Sequence, residues 1–286
     1  MELTLPRDKL GLVLKVGLYI FLAVAGLMFF PLVLQIFGIV IAAALGTFAA
    51  AAVANAVSLR IFERGRLADI GMNWHPGSGR NLALGVLGGI GAGCVVLAGP
   101  LLTGAAQLEK TPNQPANFGS FIFVTLILLF GAVGEEMLFR GYGFQVLLGG
   151  LGRFATILPV SVLFGLAHLN NKNVSTLGIV NTMGFAVVLG YAFIRSGDLW
   201  LPIGIHFGWN WTLPLFGENL SGFTMGMTGV TMHWYVADIW SGGSYGPEAS
   251  LLTSGVVIAL LVYLVKAPVV SQEPVLARPR AEDVLP

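Results

Sequence analysis

The sequence predicts an all-α, polytopic membrane protein of about eight transmembrane helices around a polar intramembrane cavity. Three observations carry that prediction. The chain is 56% hydrophobic and only 10% charged, whereas a soluble domain carries about 25% charged residues. Eight apolar stretches reach or approach the ~20 residues that a span needs; they cover 10–30, 32–57, 81–104, 119–146, 154–169, 176–195, 199–216 and 251–266. A small set of ionisable and amide side chains falls inside these stretches, where lipid cannot solvate them.

The first stretch lacks a convincing A-x-A site and is too long for a signal h-region, so it reads as a retained helix. After the second, residues 58–80 place Arg60, Arg64 and Arg66 beside Leu59, Ile61, Phe62 and Leu67. That pattern predicts an amphipathic surface helix ending in a Pro-Gly turn. The third stretch carries Gly85, Gly89 and Gly93 at four-residue spacing, a stripe that lets helix backbones approach closely. Residues 105–118 read as a polar Pro/Asn loop. The fifth and seventh stretches are short. Residues 217–250 form a long Gly-rich loop whose Trp234, Tyr235, Trp240 and Tyr245 suit a membrane interface. The tail after Lys266 is polar and Pro-rich, and is expected to be disordered. The organisation is thus a two-helix hairpin with its surface helix over 1–80, a six-helix bundle over 81–266 with its core at 119–216, and a tail over 267–286.

Positive charge sets the orientation. With the N-terminus in the cytoplasm and eight alternating spans, thirteen Lys and Arg residues fall inside and two, Lys110 and Lys172, outside. This asymmetry predicts cytoplasmic N- and C-termini. Compact loops and short tails suggest a prokaryotic plasma (inner) membrane. A net charge of +1, with no basic stripe, excludes nucleic acid as a partner. A single cysteine, Cys94, can form neither an internal disulfide nor a thiolate metal site.

The fourth stretch ends in GEEMLFRG. Glu135, Glu136 and Arg140 together would cost roughly 8–10 kcal/mol if exposed to lipid, so they must face a protein or water-filled interior. Glu136 and Arg140 are four apart and can pair on one face, which also reads as an ion pair locking helices together. Glu135 is turned about 100° away and keeps no partner on its own helix. Two later stretches add His168, four residues after Phe164, and His206, four residues before Asn210. Rise per residue puts all of these at overlapping depth if their helices are neighbours. Asn181 and Thr182 read as interhelical hydrogen-bonders, and His75 and His233 as loop residues.

A carboxylate and a histidine can activate water. A histidine and an asparagine can donate to the oxyanion of a tetrahedral intermediate. Together they are a minimal kit for peptide hydrolysis without a protein nucleophile. Glu135, His168 and His206 could instead hold zinc, which takes three protein ligands and a water at catalytic sites. Asparagine is a poor zinc ligand, which favours a mechanism that requires no cofactor. There is no H-E-x-x-H.

EEMLFR fits E-E-x-x-x-R, FGLAH fits F-x-x-x-H, and HFGWN fits H-x-x-x-N. In that order, in consecutive apolar segments, they make the chain resemble the CAAX prenyl endopeptidase family, also called CPBP or abortive-infection-like intramembrane proteases. The resemblance covers about residues 119–216. It implies an intramembrane endopeptidase with Glu135 as general base assisted by His168, and His206 and Asn210 as oxyanion hole. Glu136, Arg140 and Phe164 take supporting places. The family has been described both as metalloproteases and as metal-free glutamate proteases. The resemblance implies a peptide or lipidated protein as substrate, within the lipid bilayer. Two other classes compete: a non-catalytic scaffold or bacteriocin-immunity-type protein, and a proton-coupled transporter, against which the absence of an internal repeat argues.

Overall fold

The computed structural model describes residues 7–111, 115–273 and 276. Its helices are α1 (Arg7–Leu34), α2 (Ile39–Ser58), α3 (Ser78–Thr103), α4 (Phe118–Arg140), α5 (Tyr142–Leu151), α6 (Arg153–Ala167), α7 (Thr176–Ser196), α8 (Trp200–Leu215), the single turn α9 (Asp238–Ser241) and α10 (Leu251–Lys266). Two short strands, β1 (Ala106–Lys110) and β2 (Val230–Trp234), pair antiparallel with Leu108 opposite Met232. The all-α polytopic class stands. Side chains such as Phe21, Met28 and Leu32 on α1 are exposed, as a lipid-facing surface requires.

The eight expected stretches are all helical, but their lengths differ. Among the described residues five helical runs are long and apolar enough to cross a membrane: Lys9–Phe37, Ile39–Glu63, Ser78–Thr103, Phe118–Leu151 and Thr176–Ser196. Helices α6, α8 and α10 have 15, 16 and 16 residues. At 1.5 Å per residue they reach about 22–24 Å, short of a ~30 Å hydrocarbon core. Helix α8 is apolar for another reason: it is buried from Leu201 to His206 and again through Thr212–Pro214, and a helix apolar all round is a buried helix.

The glycine stripe packs α3 on α8. A Cβ on Gly85 or Gly89 would strike the carbonyls of Leu201 or Ile205, and one on Gly204 or Gly208 would strike those of Leu82 or Val86. Backbone meets backbone, which fixes the depth and rotation of the helix that carries His206 and Asn210.

The fourth expected span is not continuous. Helix α4 stops at Arg140 and α5 restarts at Tyr142. Asn55 of α2 staples the break: its amide donates to Met137 O (2.9 Å) and its carbonyl accepts from Tyr142 N (2.6 Å). Tyr19 Oη donates to Leu138 O (2.6 Å), and Gln145 Nε2 to Arg140 O (3.0 Å). The carbonyls orphaned at a helix end are thereby satisfied by side chains.

Three further expectations are revised. Residues 58–80 hold no continuous amphipathic helix. A π turn over Leu59–Glu63 ends at Arg64 in the left-handed region, and a 3-10 turn covers Leu67–Ile70. Leu59 and Ile70 are fully buried, so this stretch is anchored to the core. The 217–250 segment forms a folded cap; of its four expected interface aromatics Tyr245 is buried, Trp234 is partly buried, and Tyr235 and Trp240 are exposed. The tail is ordered at least to residue 273: Val270 N and O bond the Asn81 side chain, and Gln272 N donates to Ser196 O. Residues 274, 275 and 277–286 of the tail lie outside the described residues.

Two apolar cores result. One joins α3, α7, α8 and α10 around Leu97, Leu189, Ile205 and Trp209. The other joins α1, α2, α4 and α5 around Tyr19, Ala54, Met137 and Tyr142.

Candidate active site

Asn117 caps α4, its side chain accepting from Ser120 N. Eighteen residues later the helix reaches Glu135. Gly134 has no room for a Cβ, because the Phe48 backbone of α2 lies against it. That contact turns the next two residues inward. Glu136 is fully buried, whereas the Glu135 side chain is 30% exposed, and this exposure faces a cavity.

Arg140 and Glu136 pair at 3.2 Å, as the four-residue spacing predicts. Arg140 also donates to Ala186 O of α7 (2.9 Å) and lies 4.9 Å from the centre of the Phe164 ring. The Phe164 ring in turn stands 4.9 Å from His168 and 6.2 Å from His206. Phe164 therefore stands beside Arg140, His168 and His206 at once.

His206 joins the two glutamates. Its Nδ1 lies 2.8 Å from Glu136 Oε1 and its Nε2 3.8 Å from Glu135 Oε2. Glu136 is already matched by Arg140, so it accepts and His206 Nδ1–H donates. The second distance is too long for a hydrogen bond, and Glu135 Oε2 has no hydrogen-bond partner among the described residues. The division between a paired Glu136 and a spare Glu135 holds for hydrogen bonding, but the two are bridged by one imidazole rather than separated.

His168 is the C-cap of α6, not a mid-helix residue. Its Nδ1 lies 2.8 Å from Phe164 O. A carbonyl only accepts, so Nδ1 carries the proton and Nε2 of the neutral ring is left as acceptor. The Asn210 side chain makes no hydrogen bond to the described residues. Glu135, His168, His206 and Asn210 all line one cavity of about 430 Å3.

Among the described residues no three His, Cys, Asp or Glu side chains converge to hold a metal ion. Glu135, His168 and His206 are thus not gathered as three zinc ligands in this arrangement. Asn181 reaches across to Glu248 O and Ser250 O (2.8 and 2.9 Å), as expected of an interhelical bonder. Thr182 instead bonds back to Gly178 O of its own helix. His75 lies in the turn before α3 and His233 on β2, away from the cavity lining.

Residues 117–212 match the Rce1-like family model. That family is described as type II CAAX prenyl endopeptidase Rce1-like, and it agrees with the family suggested by the three motifs. No curated protein and no solved structure matches the chain. The Rce1-like segment runs from the Asn117 cap to Thr212 in α8, and so contains every motif residue. The match supports a CAAX-type intramembrane protease in general, set in a lipid bilayer and acting on a protein substrate.

Sequence reasoning missed part of the cavity wall. Glu248 and Ser221 line it from the cap, outside the Rce1-like segment. Trp209 Nε1 donates to Glu248 Oε1 (3.2 Å), and Ser221 donates to Oε2 from both its backbone and its hydroxyl. No motif spacing could have marked them, because a cap folded over the cavity brings them there from a stretch that reads as loop.

Proposed function

We propose that the chain is an intramembrane endopeptidase that hydrolyses a peptide bond with glutamate-activated water. The observation that carries this reading is the single cavity lined by Glu135, His168, His206 and Asn210. Glu135 takes a proton from water as the water oxygen attacks the peptide carbonyl carbon. His168 Nε2 accepts the other water proton as a hydrogen bond and orients the attack. His206 Nε2–H and the Asn210 amide donate to the tetrahedral oxyanion. Collapse breaks the C–N bond, Glu135 returns its proton to the amine, and a carboxylic acid and an amine leave.

The geometry adds one condition. His206 Nδ1–H is engaged by Glu136, so donation from Nε2 requires the doubly protonated ring. Carboxylates facing both nitrogens supply the counter-charge for that form. Glu136, Arg140 and Phe164 act as positioning residues that hold His206 and His168.

A peptide or lipidated protein is the substrate class. The placement in the membrane follows the charge asymmetry, with both termini in the cytoplasm of a prokaryotic plasma membrane. Arg140 leaves that count because it is buried in the protein, and twelve against two remains a strong bias.

The test is cleavage of a quenched-fluorescent peptide by purified protein in detergent. Glu135→Gln and Asn210→Ala should keep the fold while activity drops, by about 100-fold or more for the oxyanion donor. Undiminished cleavage by Glu135→Gln would remove it as base. Loss of cleavage with a chelator, restored by zinc, would replace the metal-free mechanism.

A further inference from the structure

The same cavity has a second polar end that the hydrolytic set does not use. Glu248 stands there, on the loop between β2 and α10, with Ser221, Asn171 and Thr182 also in the lining. All three donors to its carboxylate are neutral: Trp209 Nε1–H, Ser221 N–H and Ser221 Oγ–H. A carboxylate offers about four lone-pair sites, so one remains open. Among the described residues no Lys or Arg lies within ion-pair distance of it. The Tyr245 hydroxyl is buried beside Ser221, Asn171 and Thr182, and burial together with the nearby Glu248 carboxylate raises its pKa. The Tyr245 phenol is therefore neutral, and among the described residues no cation offsets the Glu248 carboxylate.

Helix α8 sets the distance to the reacting centre. Trp209, which holds Glu248, lies three residues beyond His206 and one before Asn210, an advance of about 4.5 Å along the axis. One extended peptide residue spans about 3.3–3.6 Å. A substrate side chain only a few residues from the scissile bond can reach Glu248. Glu135 adds a second carboxylate to the lining, whereas Arg140 is buried behind it and paired with Glu136. The fixed charge of the cavity favours a cation at this end and disfavours a carboxylate.

We propose that Glu248, held by Trp209 and Ser221, is a specificity-determining residue that binds a cationic group, an ammonium or guanidinium, on the peptide substrate. The inference rests on the protease reading of the same cavity, and it names which peptides that site selects. It also predicts that a free peptide C-terminal carboxylate does not dock at the cap end.

The test walks a single Lys along an otherwise neutral quenched-fluorescent peptide, with norleucine and Glu counterparts at every position. Binding to the full chain in detergent is read by fluorescence anisotropy, and cleavage is read in parallel. At one register the Lys peptide should bind the wild type about ten-fold tighter than its norleucine counterpart, with the Glu peptide weakest. Glu248→Gln should bring the Lys-to-norleucine ratio to about one, moving KM and leaving kcat. Glu248→Asp should keep the preference. A purely structural role would weaken both peptides alike in Glu248→Gln, and that result overturns the proposal. So does a wild type with no Lys preference at any register, whatever the folding of the variants, or a preference that survives Glu248→Gln. Preferential binding without any cleavage leaves this inference standing and removes the protease reading.

Discussion

Arg140→Met tests whether the buried charges of α4 act as one network. Arg140 is 1% exposed and Glu136 is fully buried. The guanidinium pairs with Glu136 at 3.2 Å, donates to Ala186 O at 2.9 Å and lies 4.9 Å from the Phe164 ring centre. Removing one partner of a buried pair costs about 3–5 kcal/mol, because a charge is left uncompensated. Glu136 keeps the His206 Nδ1–H donor at 2.8 Å, and methionine refills part of the volume, so the loss should sit near the low end, about 3 kcal/mol. Adding Glu136→Gln removes the stranded charge. The double variant should recover about 2 kcal/mol of that loss, since neutral replacements of buried pairs are often tolerated. Tryptophan-detected unfolding in detergent, with a chemical denaturant series, measures the cycle. A single-variant loss under about 1 kcal/mol, or a double variant no better than Arg140→Met, would refute the idea that Arg140 compensates Glu136.

Two other outcomes follow from the fold. Gly141→Ala puts a Cβ against Met137 O and Asn55 Oδ1. Forcing atoms into such a packed junction costs about 1–3 kcal/mol, and cleavage should fall with stability because the junction sets the end of α4; an alanine variant with unchanged unfolding would contradict the close approach. Burial pushes the Glu218 carboxyl in the cap from 4.5 up to about 7, against the Trp234 Nε1–H donor. Its folded-state pKa is raised, so its stabilising effect is complete below about pH 4.5 and is lost as the pH rises through about 7, on the order of 3 kcal/mol in all. Glu218→Gln should flatten the unfolding temperature between pH 5 and 8 relative to the wild type.

The sequence by itself determined the membrane class and named the residues on which the proposed chemistry rests. A low charged fraction and long apolar runs require lipid or protein around every helix, so the all-α membrane class needed no coordinates. The i, i+4 spacing of Glu136 and Arg140 dictated their pairing, and four-residue glycine spacing dictated a close helix contact. Both are local consequences of helix geometry. Tertiary structure decided what local geometry cannot carry. Apolarity alone does not tell a lipid-facing helix from an enclosed one, and only the packing shows that α3 and its neighbours enclose α8. Gly141 read as part of a continuous helix because the groups that stabilise the break, Asn55 and Tyr19, come from other helices. His206 bridges Glu135 and Glu136 across 70 residues, a contact that exists only once α3 has fixed the rotation of α8. Glu248 enters the cavity because the cap folds over it. Each of these rests on contacts between distant parts of the chain, whose pairing no periodicity in a single segment encodes.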